Sequence, residues 1–166
     1  MSKRKLLTPP WILIIDNREQ IPWLFESLTI GTGKSKKELL LPIEHGTLPA
    51  GDYSIKGLES KVAIERKSKD DLFSTLSRGR ERFIKELVKL SKMDYAAVIV
   101  EAEWADCMTN PPERSRLAPV SLNGMIVAWQ IRYPRVHWWF LPGRYIASKQ
   151  AFKLLDRFHT ELGETE

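Results

Sequence analysis

An acid and a lysine stand two residues apart at the end of a short apolar run. Val62-Ala63-Ile64 leads directly into Glu65-Arg66-Lys67, and a run of this length and composition is typical of a buried strand. Successive side chains of a strand point to opposite faces, so Glu65 and Lys67 share one face and Arg66 takes the other. Because burying either charge alone is costly, the pair indicates a compensating ligand such as a metal ion. Phosphodiester hydrolysis uses this chemistry.

Two further carboxylates, Asp16 and Asp52, stand at predicted strand ends. Asp52 precedes Glu65 by 13 residues, a separation that suits adjacent hairpin strands and would bring both carboxylates together. Hard divalent cations such as Mg²⁺ prefer oxygen ligands, so we expect Asp52, Glu65 and the backbone carbonyl of Arg66 to bind one. Asp16 would be a further ligand, directly or through water. Lys67 would orient the attacking water or stabilise the pentavalent transition state.

The remaining pattern predicts the elements that position these residues. Ser68, followed by two aspartates, suits the start of a helix. Strands early in the chain, followed by alternating helices and strands, predict an α/β fold with a mixed sheet flanked by helices. We expect one domain over residues 1–166, with residues 1–10 as a disordered tail. The predicted strands are 11–15, 39–43, 52–55, 62–67, 95–100 and 136–141, the helices lie at 72–76, from 80, at 122–131 and at 149–162, and 17–38 and 104–119 are loops.

The excess positive charge is concentrated around the charged strand. Between Lys56 and Lys92 there are 11 basic and 6 acidic residues, whereas the remainder holds 15 of each, so this segment accounts for the net charge of +5. Such a field suits a polyanion, although an ordinary solvated surface has the same composition. Arg18 and Arg80 are candidate phosphate contacts. On the helix from residue 80, the apolar arc is Phe83, Ile84, Leu87, Val88 and Leu90, and the opposite basic arc is Arg78, Arg82, Lys85, Lys89 and Lys92.

Composition limits the environment of the protein. The single cysteine, Cys107, excludes an internal disulfide and fits a reducing compartment, and we expect it to be a small buried residue. No segment approaches the roughly 20 apolar residues that a membrane span needs. We therefore expect a cytoplasmic or nucleoid-associated protein with no membrane partner.

A longer series of motifs is more specific than the acid and E-x-K alone, which also occur at exposed, charged strand ends. The series is Asp16-x-Arg18-Glu19, Gly51-Asp52-Tyr53, Glu65-Arg66-Lys67-Ser68-x-x-Asp71-Leu72 and Gly79-Arg80. In order and spacing it resembles the nuclease domain of the XPF-type structure-specific endonuclease family, whose motif is E-R-K-x-x-x-D. The resemblance runs from about residue 11 to the final helix.

This resemblance implies a restriction-endonuclease-like fold of the PD-(D/E)XK type. It also implies a Mg²⁺- or Mn²⁺-dependent DNA endonuclease that cuts one strand of branched, flap or fork DNA near duplex–single-strand junctions. We expect Arg66 and Asp71 to pair and fix the strand-to-helix turn, although both could be generic surface charges. The catalytic and metal-binding residues would be Asp16, Asp52, Glu65 and Lys67, the supporting motif residues Arg18, Glu19, Arg66 and Asp71, and the DNA-binding residues Arg78, Arg80, Arg82, Lys85 and Lys89.

The sequence departs from the family pattern in two respects. The chain ends at Glu166 without the helix–hairpin–helix pair that usually follows the nuclease domain, so we expect a compact, stand-alone member. The Gln that often follows Gly-Arg is absent, since the chain reads Glu81-Arg82-Phe83. Family members commonly dimerise through the last helices, and the apolar faces of 122–131 and 152–158 would permit a homodimer or simply close the core.

Two alternatives to the leading hypothesis stay open. One is a non-catalytic DNA-binding or scaffolding module on the same fold, and the other is a different nuclease of the same broad fold. The intact Asp52, Glu65 and Lys67 argue against the first alternative, because a scaffold would have no need to retain this set.

Overall fold

A six-stranded mixed sheet forms the centre of the protein in a computed structural model that describes residues 6–165. Helices cover the sheet on both sides. The strands are β1 (Leu13–Asp16), β2 (Thr29–Ile30), β3 (Lys37–Glu38), β4 (Ile43–Gly46), β5 (Tyr53–Ile55), β6 (Val62–Lys67), β7 (Tyr95–Val100) and β8 (Val136–Phe140). The α-helices are α1 (Lys69–Ser77), α2 (Arg80–Leu90), α3 (Trp104–Thr109), α4 (Pro119–Arg132) and α5 (Gly143–Thr165).

The strand order of the sheet is β4-β1-β5-β6-β7-β8, and β2 and β3 form a separate two-stranded ribbon. Strands β6, β7 and β8 run parallel, β5 pairs antiparallel with β1 and β6, and β4 pairs parallel with β1. The predicted hairpin of β5 and β6 is therefore present. The predicted fold class, a mixed sheet flanked by helices, is confirmed.

The two faces of the sheet carry different parts of the core. Helices α1 to α4 pack on the face that contains Ala63, whereas α5 and the segment between β1 and β2 pack on the face that contains Ile64. Strand β7 is buried almost throughout, as expected for a strand covered on both sides. Alternation along β6 places Glu65 and Lys67 on the side of α1 and α2, and Arg66 on the side of α5.

The helices that follow β6 largely have the predicted structure. Ser68 caps α1, because its Oγ accepts a hydrogen bond from the Asp71 N–H at 3.1 Å. On α2, the core face is formed by Phe83, Leu87 and Leu90, which are buried. The neighbouring Val88 was predicted to share that face, but its side chain is exposed.

Four predicted elements need correction. The predicted loop 17–38 contains the two short strands β2 and β3, which pair with each other. The predicted loop 104–119 contains helix α3, with Cys107 buried in the core as expected, because a six-residue helix is too short for its periodicity to outweigh the nearby prolines. The predicted strand 39–43 lies instead at Ile43–Gly46, where it is an exposed edge strand. The apolar run 39–41 wrongly indicated a strand that starts four residues earlier. The final helix begins at Gly143 rather than at residue 149.

The predicted tail, residues 1–10, is only partly described, since residues 1–5 lie outside the described part of the chain. Leu7 forms a parallel bridge with Leu39. Its N–H donates to the Glu38 carbonyl at 3.1 Å, and its carbonyl accepts from the Leu40 N–H at 2.8 Å. Within residues 6–165, no helix has the length and apolar character needed to span a membrane.

Candidate active site

A tight turn before β5 sets the position of Asp52 beside β6. The Asp52 N–H donates to the Ile64 carbonyl at 2.8 Å, which ties the turn to the neighbouring strand. Gly51 has a φ of +74°, and a Cβ at this position would lie 3.0 Å from both the Ala63 Cβ and the Ile64 oxygen. Only glycine fits this backbone without displacement. The glycine of the Gly-Asp pair is thus a geometric requirement of this turn.

The Asp52 carboxylate lies close to Glu65 in a partly buried position. Its Oδ2 accepts a hydrogen bond from the backbone N–H of Arg66 at 2.7 Å. Burial, followed by repulsion from Glu65, raises the pKa of Asp52 to about 8, although the Arg66 N–H favours the ionised form. In the metal-free protein, two adjacent buried carboxylates therefore do not both ionise readily at neutral pH.

Glu65 and Lys67 form an ion pair on the shared face that the strand pattern predicts. Glu65 Oε1 lies 2.9 Å from Lys67 Nζ, and both side chains are largely buried. Burial raises the pKa of Glu65, although the ammonium group opposes this effect. Burial would lower the pKa of Lys67, but Glu65 outweighs it, so the pKa is raised. Lys67 Nζ also lies 5.0 Å from the centre of the Phe83 ring.

The Asp16 carboxylate is held by hydrogen bonds from Arg18 and Leu48. It accepts hydrogen bonds from the backbone N–H and guanidinium of Arg18 and from the Leu48 N–H, at 2.8 to 2.9 Å. Burial alone would raise the pKa of Asp16, but these hydrogen bonds outweigh it and lower the pKa to about 2. The Asp16 N–H donates to the Asp52 carbonyl at 2.8 Å. The strand ends are therefore adjacent, while the Asp16 carboxylate is engaged by Arg18.

Arg66 lies on the opposite side of β6 and pairs there with two acids. Its Nε donates to Glu101 Oε1 at 2.6 Å, and its Nη1 lies 3.4 Å from Glu19 Oε1. The expected pair of Arg66 with Asp71 is therefore wrong. Asp71 lies in the first turn of α1 on the other side of the strand, where its charge acts on Glu65 and Lys67.

Two acidic residues outside the predicted set, Glu86 and Glu101, contact the site. Glu101 follows β7 and binds Arg66. Glu86, on α2, accepts the Gly51 N–H at 2.8 Å and so holds the turn that carries Asp52. Glu101 directly follows the predicted strand 95–100 and belongs to no motif, and Glu86 directly follows Lys85 of the basic arc. An acidic residue among the basic residues of α2 was the one sequence signal that pointed to Glu86.

The predicted DNA-binding residues form an exposed surface. All five residues have exposed side chains. Lys89 Nζ lies 3.5 Å from Glu86 Oε2. Arg80 lies beside Met125 of α4. These five residues are Arg78, Arg80, Arg82, Lys85 and Lys89, and we call them the α2 basic surface.

The donor set near Asp52 suits a hard divalent cation. Asp52 and Glu65 supply oxygen ligands, which Mg²⁺ and Mn²⁺ prefer, and their mutual repulsion would be relieved by a bound cation. Within residues 6–165, no group of three or more Asp, Glu, His or Cys side chains is arranged to hold a metal ion. Asp16 is thus not brought into one ligand group with Asp52 and Glu65, and the predicted carbonyl ligand of Arg66 stays a prediction.

Residues 15–145, more than half of the chain, match the ERCC4 domain. This chain belongs to the ERCC4 domain family. It is an XPF-type nuclease domain with a restriction-endonuclease-like fold, as the motif series predicted.

Solved structures of the same fold include XPF from Aeropyrum pernix. That structure matches with a TM-score of 0.61 and 24% identity, over 89% of this chain and 61% of that chain. XPF from Aeropyrum pernix in complex with DNA matches with a TM-score of 0.60 and 22% identity, over 91% of this chain and 66% of that chain. This ERCC4-family chain thus spans less than two thirds of each of those chains. No curated protein sequence matches it.

Proposed function

We propose that this ERCC4-family chain is a metal-dependent DNA endonuclease that hydrolyses phosphodiester bonds. The observation that carries the proposal is the largely buried set of Asp52, Glu65 and Lys67 at the β5–β6 hairpin. Buried charges of this kind are weak contributors to stability, and perturbed pKa values are enriched at functional sites. The set therefore has the character of a catalytic site rather than a structural ion pair.

Asp52 and Glu65 would hold the Mg²⁺ or Mn²⁺ ion. Such an ion, when bound, lowers the pKa of a coordinated water and neutralises charge on the scissile phosphate. The Arg66 N–H keeps the Asp52 carboxylate in one orientation before any substrate is present. The Gly51 turn fixes the backbone of Asp52 in the same way, so little reorganisation is needed when the site is used.

Lys67 acts in this mechanism as a cationic donor. Glu65 holds its Nζ at 2.9 Å, and the raised pKa of Lys67 keeps the ammonium protonated at neutral pH. A protonated lysine cannot serve as a general base. It can donate a hydrogen bond to the attacking water or to a phosphate oxygen, where negative charge develops in the transition state.

The α2 basic surface is the proposed contact for the DNA backbone. Its side chains are exposed on α2 and on Arg78 just before it, and the buried face of the same helix includes Phe83, which lies beneath Lys67. Arg18 is a second candidate contact, because its side chain is 69% exposed although its guanidinium binds Asp16. The similar fold of XPF in complex with DNA supports a DNA substrate, and we extend the proposal to branched, flap or fork DNA.

A homodimer is a further part of the proposal. Most of the predicted face at 152–158 is used by the core of this chain, since Phe152 and Leu155 are buried. On α4, however, Val120, Val127 and Ile131 are 75%, 53% and 81% exposed. They recur at helical spacing and so share one face of the helix. A larger mass for wild type than for Ile131→Glu in light scattering would support this interface, and monomers in both cases would contradict it.

The experiment that tests the proposed function compares DNA substrates and metals. Labelled flap, fork, junction, single-stranded and duplex DNA are incubated with the protein in Mg²⁺, Mn²⁺ or EDTA. We expect cleavage of branched substrates with either metal, none in EDTA, and none by Glu65→Gln. Glu81→Gln is the matched control, because it removes an exposed carboxylate from α2 and should cleave normally.

Two outcomes would contradict the endonuclease proposal. Cleavage that is unaffected by Glu65→Gln would place the chemistry elsewhere. DNA binding with no cleavage of any substrate in either metal would favour the non-catalytic binding or scaffolding module. Equal cleavage of branched and plain duplex DNA would refute only the branched-substrate part of the proposal.

A further inference from the structure

Glu101 is at the centre of a buried polar cluster on the side of β6 opposite Glu65 and Lys67. Its carboxylate accepts hydrogen bonds from Trp23 Nε1 at 2.6 Å, Arg66 Nε at 2.6 Å and Arg144 Nη1 at 3.3 Å. The Glu101 side chain is only 7% exposed and that of Arg66 only 10%. The proposed mechanism assigns no task to this cluster.

Glu101 holds the end of β6 through two separate contacts. Its backbone N–H donates to the Lys67 carbonyl at 2.8 Å, and its carboxylate binds the guanidinium of Arg66 through both oxygens, at 2.6 and 3.2 Å. A charge-assisted, two-point contact of this kind restricts orientation strongly. Glu101 therefore limits the movement of the residues at the C-terminal end of β6.

The contact with Arg66 bears on the catalytic set through one peptide group. The Arg66 N–H is the donor that binds Asp52 Oδ2 at 2.7 Å. A guanidinium clamped on the α5 face of the sheet would restrict rotation of the Arg66 backbone, whose N–H lies in the plane of the sheet and points from β6 to the Asp52 carboxylate. Loss of the contact between Glu101 and Arg66 would let the Arg66 N–H shift, and the Asp52 carboxylate that it binds would shift with it.

We propose that Glu101 is a positioning residue that orients the Asp52 carboxylate by clamping Arg66. This inference rests on the proposed nuclease function. Groups that orient a metal-binding carboxylate from outside the ligand set change metal affinity or activity by about 10- to 100-fold when removed. Glu101 has no hydrogen bond to Asp52, Glu65 or Lys67 through its side chain among the described residues, so its effect would be indirect.

The test is Glu101→Gln, which keeps the size of the side chain and removes its charge. We expect kcat to fall about 10- to 100-fold and the Mg²⁺ concentration for half-maximal rate to rise about 10-fold. The affinity for DNA in EDTA should stay within about twofold of wild type. A purely structural Glu101 would lower stability but leave kcat and the Mg²⁺ requirement of the folded protein unchanged, which would overturn the inference.

Two controls separate the clamp from its surroundings. Glu103→Gln removes an exposed carboxylate two residues away and should be indistinguishable from wild type. Trp23→Phe removes a different donor from the same Glu101 carboxylate, so kcat should be nearly unchanged. An equal loss of kcat in Trp23→Phe would overturn the route through Arg66.

A second variant keeps the inference testable if Glu101→Gln does not fold. Arg66→Lys retains a positive charge and the backbone N–H, but loses the guanidinium contact with Glu101. The same fall in kcat and the same rise in Mg²⁺ requirement are expected, and wild-type values would overturn the inference. Wild-type protein that binds DNA but never cleaves it would instead refute the proposed function, so the two failures are distinguishable.

Discussion

Replacing Asp52 with Asn should stabilise the metal-free protein while removing a proposed metal ligand. The pKa of Asp52 is raised to about 8 by burial and by Glu65. At pH 7 the unfolded chain holds this carboxyl ionised, so the folded protein must either bind a proton or bury a second charge. That difference costs up to about 4 kcal/mol of stability at pH 7. Asn keeps an oxygen acceptor for the Arg66 N–H and avoids this cost.

The pH dependence of this effect has a definite sign. Between about pH 4 and pH 8, folded wild type retains the Asp52 proton that the unfolded chain releases, so its stability falls as the pH rises. The stabilising effect of Asp52→Asn should therefore be small at pH 4 and grow with pH to at most about 5 kcal/mol near pH 8. The measurement is urea unfolding in EDTA across this range.

A control and a metal titration complete the experiment. Asp94→Asn changes an exposed carboxylate and should show no such pH-dependent gain. Mg²⁺ should stabilise wild type at pH 8 and leave Asp52→Asn unaffected, because a ligand stabilises only the state that binds it. A variant that is less stable than wild type at pH 8, or a gain that does not grow with pH, would refute the electrostatic reasoning.

Three further predictions test separate parts of the structure. Asp16→Asn should destabilise the protein by about 1 to 2 kcal/mol at pH 7, and the loss should vanish as the pH falls from about 4 to 2, as urea unfolding in EDTA would show. Leu87→Ala should cost about 2 to 5 kcal/mol in denaturant unfolding because it leaves a core cavity, whereas the exposed Val88→Ala should cost little. Lys85→Gln with Lys89→Gln should lower the slope of log affinity against log salt by about 2, and an unchanged slope would place the DNA elsewhere.

The arrangement of the β5–β6 hairpin was predictable because it depends on local rules. The apolar run before Glu65 predicts a buried strand, and strand alternation separates Glu65 and Lys67 from Arg66. The spacing to Asp52 suits a hairpin turn, and Gly51 supplies the backbone that the turn needs. These features required no knowledge of residues distant in the chain.

The partners of the site were not predictable because they come from distant segments. Arg66 and Glu101 are 35 residues apart, and only the parallel pairing of β6 with β7 brings them together. The expected partner Asp71 is close in sequence but lies on the other side of the strand. Nothing local showed that the Asp16 carboxylate would be engaged by Leu48, a backbone donor 32 residues away.

The small elements were missed for a related reason. Helix α3 has only six residues, so its stability comes from packing, including that of Cys107, and its periodicity is weak. The edge strand β4 is exposed along most of its length and lacks the apolar pattern of a buried strand. In both cases, tertiary contacts decided the structure.

The most direct test of the central claim is the single-turnover rate of DNA cleavage by Lys67→Met. The assay uses excess enzyme, saturating Mg²⁺ and a labelled flap substrate, with Lys61→Met as an exposed control from the same hairpin. If the buried pair of Glu65 and Lys67 is catalytic, Lys67→Met should lose about 100-fold or more in rate and bind DNA like wild type in EDTA. A rate equal to that of wild type would contradict the assignment of catalysis to this site.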